Sequence, residues 1–202
     1  MPRFIDLSAP ITQGPAELPD ALRTDIDYAD HARGAQTIDE LPLEWFFNPG
    51  VVLDMTHKDD GGAMTADDAR AALATAGHEL APLDIVLVRT GRDAFYAEPD
   101  YMARGCGVTA EATHWLYEQG VRVMGIDAWG WDAPLHLQAQ DAVAHDAPGV
   151  FWAAHQADLA YCQIERLFNL GELPATGFSV ACFPLKIVGG SAGPTRAVAI
   201  VP

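Results

Sequence analysis

Residues 85–89 read Ile-Val-Leu-Val-Arg, apolar at every position until the last. A strand with one wet face alternates polar and apolar side chains, so a run without alternation is one covered on both faces. Two further runs are largely apolar, VVLDM at residues 51–55 and VRVMGI at residues 121–126. Helix punctuation lies between them. Thr65 opens TADDARAALATAG, with Asp68 three residues on, as in a capping box, and Gly77 at the stop. Thr109 opens TAEATHWLYEQ as an N-cap, with Gly120 as its C-cap. Strand, helix, strand, helix, strand predicts an α/β layer.

The flanks read differently. Residues 4–7 form a short apolar strand, ended by Ser8, Pro10 and Gly14; the stretch from there to Gly34 has neither a helical nor a strand period. Residues 178–187 and 197–201 read as strands with no strong helix between them, which predicts β pairing and a mixed sheet or two sheets. A chain of 202 residues that is 50% hydrophobic buries one substantial core, so one domain spanning residues 1–202 is expected.

A net charge of −16 repels nucleic acid and anionic membranes, so neither is expected as a partner. Cys106, Cys162 and Cys182 are odd in number and have no CxxC spacing, which argues against a disulfide framework or a zinc ribbon and fits a reducing cytoplasm. The N-terminal MPRFIDLSAPI has one basic residue and no long apolar run, so it reads as neither signal peptide nor membrane span. Ser179 and Ser191 lie in no G-x-S-x-G elbow, and VGGSAG at residues 188–193 opens no helix of a βαβ unit.

Five segments, in order, resemble the metal-dependent cyclase/arylformamidase family, which includes kynurenine formamidases and isatin hydrolase-like enzymes. They are FIDLSAPIT; QTIDELPLEWFFNPGVVLDMTHK at residues 36–58; DIVLVRTG at 84–91, followed by Gly-Val-Thr at 107–109; GIDAWGWDAP at 125–134; and the long run YCQIERLFNLGELPATGFSVACFPLKIVGGSAGPTRAVAIV at 161–201. IDAWGWDAP and YCQIE resemble the isatin-hydrolase-like branch more than the bacterial formamidases. The resemblance implies a swivelling β/β/α (cyclase-like) fold and hydrolysis of a cyclic or N-formyl aromatic amide. It also implies a divalent manganese or zinc ion.

The family's metal motif, H-x-G-T-H-x-D-x-P-x-H, is absent from its usual place before TIDELPLE, where Ala35 runs straight into Gln36. In one reading TDIDYADH, residues 24–31, is a degenerate version that keeps Thr24, Asp27 and His31. In the other, a segment is missing between about Gly34 and Gln36, and IDYADHARGA is the stretch that precedes the motif in relatives. A missing segment predicts that Gly34 and Gln36 flank an acidic cavity containing Glu165. It also predicts that the chain holds metal weakly and does not turn over N-formylkynurenine or isatin.

By resemblance, His155 and Glu165 face the metal or the substrate, as ligands and as catalytic acid–base groups. The residues themselves also allow a surface histidine and a glutamate paired with Arg166 or Lys186. Asp127, Trp129, Trp131 and Asp132 form an aromatic–acidic cluster after a strand, where loops build sites. Trp129, Trp131 and Asp132 are expected to contact a planar substrate, or else to be core aromatics and a turn aspartate. Three adjacent aromatics, Trp45 to Phe47, cannot all face one core, and the family resemblance implies a homodimer or homotetramer. The rival reading is a non-catalytic scaffold used for binding or assembly.

Overall fold

The computed structural model describes residues 2–8, 36–146 and 151–202, so TDIDYADH and Gly34 lie outside the described residues. Strands β1 (Arg3–Asp6), β2 (Phe47–Asp54) and β3 (Ala63–Met64) precede helix α1 (Ala66–Ala76). Strands β4 (Ile85–Arg89) and β5 (Gly107–Val108) precede α2 (Ala110–Glu118), and β6 (Val123–Ile126) precedes α3 (Leu135–Ala144). Strands β7 (Cys162–Ile164), β8 (Phe178–Ala181) and β9 (Val198–Val201) follow.

Seven strands form one sheet in the order β1-β9-β8-β2-β4-β6-β7. β2, β4, β6 and β7 run parallel, with Val52 beside Leu87, Leu87 beside Gly125 and Gly125 beside Ile164. On the other side of β2, strands β8, β9 and β1 are antiparallel. The sheet is therefore mixed, with β2 as the strand where the sense changes. β3 and β5 pair separately.

The unbroken apolar runs have the expected cause. Val51, Leu53, Val86, Val88, Met124 and Ile126 pack on one face against Ala69 and Leu73 of α1 and Ala112 and Leu116 of α2. The alternate residues Val52, Ile85, Leu87 and Val123 pack on the other face with Ile5, Phe178, Val180 and Ala199, so the antiparallel half of the sheet curls over its parallel half. Both faces are dry, and period-2 alternation has nothing wet to mark.

The helix punctuation also holds. Thr65 accepts from the Asp68 N–H while the Asp68 carboxylate accepts from the Thr65 N–H, a reciprocal capping box, and Gly77 closes α1 in the left-handed region at φ 63°. Thr109 caps α2 by accepting from the Ala112 N–H. The strand expected over residues 178–187 is shorter, because the backbone leaves the ladder after Ala181. None of the described helices is long and apolar enough to cross a membrane.

Residues 37–40 form a turn docked on the β8–β9 connection, with the Ile38 N–H donating to the Gly190 carbonyl at 2.8 Å. The connection leaves β8 beside Phe47, where β2 begins, whereas Glu165 follows the end of β7. The Gln36 side of the expected break therefore adjoins the β8–β9 connection. The position of Gly34 lies outside the described residues.

Candidate active site

In parallel sheets the ligand-binding crevice forms beyond the carboxyl ends of the strands. Here Thr90 and Gly91 follow β4, Asp127 follows β6 and Glu165 follows β7, all at that end. Asp127 is buried, and burial pushes its pKa up against the hydrogen bonds that hold it. One carboxylate oxygen accepts from the Thr90 N–H and hydroxyl, both at 2.6 Å, and the other from the Gly91 N–H at 2.8 Å. With all three bonds directed at the β4 loop, Asp127 ties β4 to β6 and sets the base of the segment that follows.

That segment, residues 128–134, carries the chemistry. The Asp132 carboxylate accepts from the Ala154 N–H at 2.8 Å and lies 2.5 Å from His155 Nδ1. The opposite nitrogen, Nε2, lies 3.6 Å from Glu165 Oε1. Glu165 Oε1 also accepts from the Trp131 N–H at 3.0 Å. One imidazole thus sits between two carboxylates. Burial pulls the His155 pKa down, but the Asp132 hydrogen bond and the charges of Glu165 and Asp132 outweigh it and raise the pKa above its ordinary value.

These three side chains line a cleft of about 90 Å³ together with Trp129, Trp152 and Arg104. The Trp152 ring lies 5.7 Å from the His155 ring, and the Arg166 guanidinium lies over Trp129 at 5.0 Å. Cys106 also lines the cleft, but burial pushes its thiol up to about 11, so it is not a ready thiolate. Asp132 belongs behind His155, fixing which nitrogen carries the proton, while Nε2 and the Glu165 carboxylate face each other. Metal–ligand bonds run about 2.0–2.2 Å for zinc, so donors 3.6 Å apart fit two bonds to one cation. Among the described residues no group of three His, Cys, Asp or Glu could hold a metal ion, so this pair supplies two donors and no more.

The Cyclase family model matches residues 5–133, well over half of the chain. The chain belongs to the cyclase family. It is 28% identical over 182 residues to a kynurenine formamidase of Salinibacter ruber, covering 87% of this chain and 73% of that one. Isatin hydrolase A from Labrenzia aggregata, bound to benzyl benzoate, has a similar structure with a TM-score of 0.77 at 23% identity, covering 99% of this chain and 94% of that one. So does a potential metal-dependent hydrolase with cyclase activity, with a TM-score of 0.68 at 23% identity, covering 100% and 99%. At these identities the structural likeness carries the cyclase-like fold, and it agrees with the curled mixed sheet.

Within this cyclase-family chain the structure brings His155, Glu165, Asp132 and Trp129 to one cleft. Trp131 is placed elsewhere. Its side chain is fully buried in the core and its indole N–H donates to the Thr113 hydroxyl at 3.0 Å. The expectation of a substrate contact on that ring is therefore corrected: Trp131 serves the site through its backbone N–H. Glu165 pairs with neither Arg166, which turns to Trp129, nor Lys186. Sequence reasoning passed over Trp152 and Arg104. Trp152 follows no strand or motif, and only its neighbour His155, three residues on, pointed toward it.

Proposed function

We propose that this cyclase-family chain is built for metal-dependent hydrolysis of the C–N bond of an aromatic amide, cyclic or N-formyl. The observation that carries the proposal is the His155 imidazole held between Asp132 and Glu165 in an aromatic-walled cleft at the carboxyl ends of the parallel strands. The formamidase and isatin hydrolase relatives support the substrate class, and the metal-dependent relative supports a divalent cation, for which we propose manganese or zinc.

The chain's own groups divide the work. Asp132 accepts the Nδ1 proton of His155, which leaves Nε2 as the nitrogen that exchanges protons in the cleft. As water adds to the carbonyl carbon, Nε2 accepts its proton; as the C–N bond breaks, Nε2 delivers that proton to the leaving nitrogen. Glu165 stabilises the imidazolium between these transfers. Trp129 and Trp152 offer flat apolar surface to the aromatic ring. With Nε2 carrying the proton, the cation would be held by Glu165 and by ligands other than His155, and would supply Lewis acidity toward water and a carbonyl oxygen.

The test compares the 202-residue chain with a version carrying a relative's H-x-G-T-H-x-D-x-P-x-H segment between Ala35 and Gln36. Hydrolysis of N-formylkynurenine and isatin is followed by absorbance with added manganese or zinc. Chelator-sensitive turnover is expected in the extended version and none in the 202-residue chain. Turnover by the 202-residue chain would overturn the claim that the segment is indispensable. Silence from both would favour a binding or assembly scaffold.

A further inference from the structure

Among the described residues lining the cleft, Arg104 is the only lysine or arginine, and the other charged walls are Asp132, His155 and Glu165. Its setting is built. Tyr101 to Ala103 form a single tight helical turn; Arg104 is extended, at φ −103° and ψ 155°, and Gly105 turns the chain in the left-handed region at φ 103°. A side chain at Gly105 would press on Ala128, the first residue of the segment that carries the chemistry, with its Cβ 3.0 Å from the Ala128 Cβ. The Gly105 N–H donates to Asp60 at 2.8 Å, which pins the turn. Arg104 and Cys106, on either side of this turn, both line the cleft.

The guanidinium is only partly used. One terminal nitrogen reaches Asp100 at 2.7 Å, and the plane stacks over Phe95 at 4.2 Å. Its Nε is buried and has no hydrogen-bond partner; among the described residues it is the one buried side-chain nitrogen or oxygen in that condition. A buried donor left unpaired is costly, and such a group calls for a function or a missing partner. The Nε is closed off, so what a ligand can reach is the rest of the guanidinium, on a side chain 30% exposed; a planar fork held by stacking at the wall of a cleft is matched in geometry by a carboxylate.

We propose that Arg104 selects aromatic amides that carry a carboxylate, binding that group while the amide lies against His155 and Glu165. The inference rests on the hydrolase reading for the role of the cleft and adds the charge of its substrate. In a chain of net charge −16 the general field repels an anion, so anion selectivity requires a local cation of this kind.

Binding tests this without turnover. In EDTA, so that no carboxylate–metal bond contributes, tryptophan fluorescence is titrated with 2-formamidobenzoate and with formanilide, which share ring and amide and differ in the carboxylate. The wild-type chain should bind 2-formamidobenzoate at least about tenfold more tightly than formanilide, the scale of a charge-assisted hydrogen bond. Arg104→Met, which keeps the stem over Phe95, should abolish that preference and change formanilide binding less than about twofold. Arg104→Lys should retain part of it, and added salt should weaken only the carboxylate ligand. Equal affinities in the wild type, or equal losses for both ligands in Arg104→Met, would overturn the proposal. If Arg104→Met does not fold, as judged by circular dichroism, the comparison of benzoate with benzamide on the wild type decides in the same sense. Carboxylate preference in the 202-residue chain with no hydrolysis even by the version carrying the H-x-G-T-H-x-D-x-P-x-H segment would sink the hydrolase reading and leave Arg104 standing, so the two failures are separable.

Discussion

At the residue scale, the geometry around one imidazole sets most of the expectations. Asp132 holds His155 through Nδ1 and the Ala154 N–H together, so Asp132→Asn releases the ring without emptying the cleft. In the segment-restored enzyme this should lower turnover by at least about tenfold, and Glu165→Gln by a similar factor. Steady-state hydrolysis with both variants checks it, with wild-type turnover in either ruling out the role given to that residue. Gly107 matters for a different reason. A Cβ there would lie 2.1 Å from the Ala133 nitrogen and 2.4 Å from the Asp132 carbonyl carbon, both backbone atoms. Gly107→Ala should therefore displace the Asp132 segment, lowering thermal stability and ligand binding together; an unchanged melting temperature with unchanged 2-formamidobenzoate affinity would contradict it. Trp129 and Asp132, which line the cleft, were legible as a pair because they crowd together after a strand. Trp131 was not distinguishable from them, since one position along a loop decides whether an indole faces a cleft or the core. Arg104 belongs to no motif, and its significance comes from a missing partner, which sequence does not record.

At the element scale, α1 is the part most fully written in the sequence. Thr65, Asp68 and Gly77 each do locally what their chemistry prefers, and Asp68 adds an ion pair with Lys58 at 2.7 Å. The Lys58 and Thr65 hydrogen bonds hold the Asp68 pKa down to about 2. A carboxylate depressed in the folded state contributes stability above its unfolded pKa and loses it as pH falls through the folded value. The contribution of Asp68 should be complete above about pH 4 and fade toward about pH 2. Asp68→Ala should cost about 1 kcal/mol at neutral pH, the scale of a lost cap, and less near pH 2; urea denaturation at both pH values measures the difference, and an equal cost at both would refute the assignment. Other elements were not legible. α3 begins after Pro134 with no side-chain cap, so its start carries no signal. β7 is three half-buried residues at the edge of the sheet, too short for a period to register. Because both lie between Asp132 and Glu165, the element reading could not bring His155 to Glu165; only the parallel pairing of β6 with β7 does so.

At the scale of the whole molecule, the described part of the site offers at most two donors, Glu165 and an unprotonated His155 Nε2, and structural or catalytic zinc commonly takes three or four protein ligands. The 202-residue chain should therefore bind manganese or zinc weakly; isothermal titration giving sub-micromolar affinity at one site per chain would place further ligands in residues 9–35. The apolar surface carries a second expectation. Leu43, Phe47, Phe183 and Leu185 are exposed, and the Phe183 ring lies 6.2 Å from that of Phe46, so the 43–47 turn and the start of the β8–β9 connection adjoin. We propose that a second copy of the chain covers this surface, and light scattering at micromolar concentration should give at least a dimer of the 21.7 kDa chain. A sharp monomeric mass would count against it. The pairing of β1 with β9 has a consequence for synthesis. Arg3 lies beside Val201, so β1 must wait on the ribosome until the much later β9 has been made. Until then Ile85 and Leu87 lack the cover that Ile5 and Ala199 give them, and the growing chain carries an apolar sheet face and an open edge of the kind that chaperones bind.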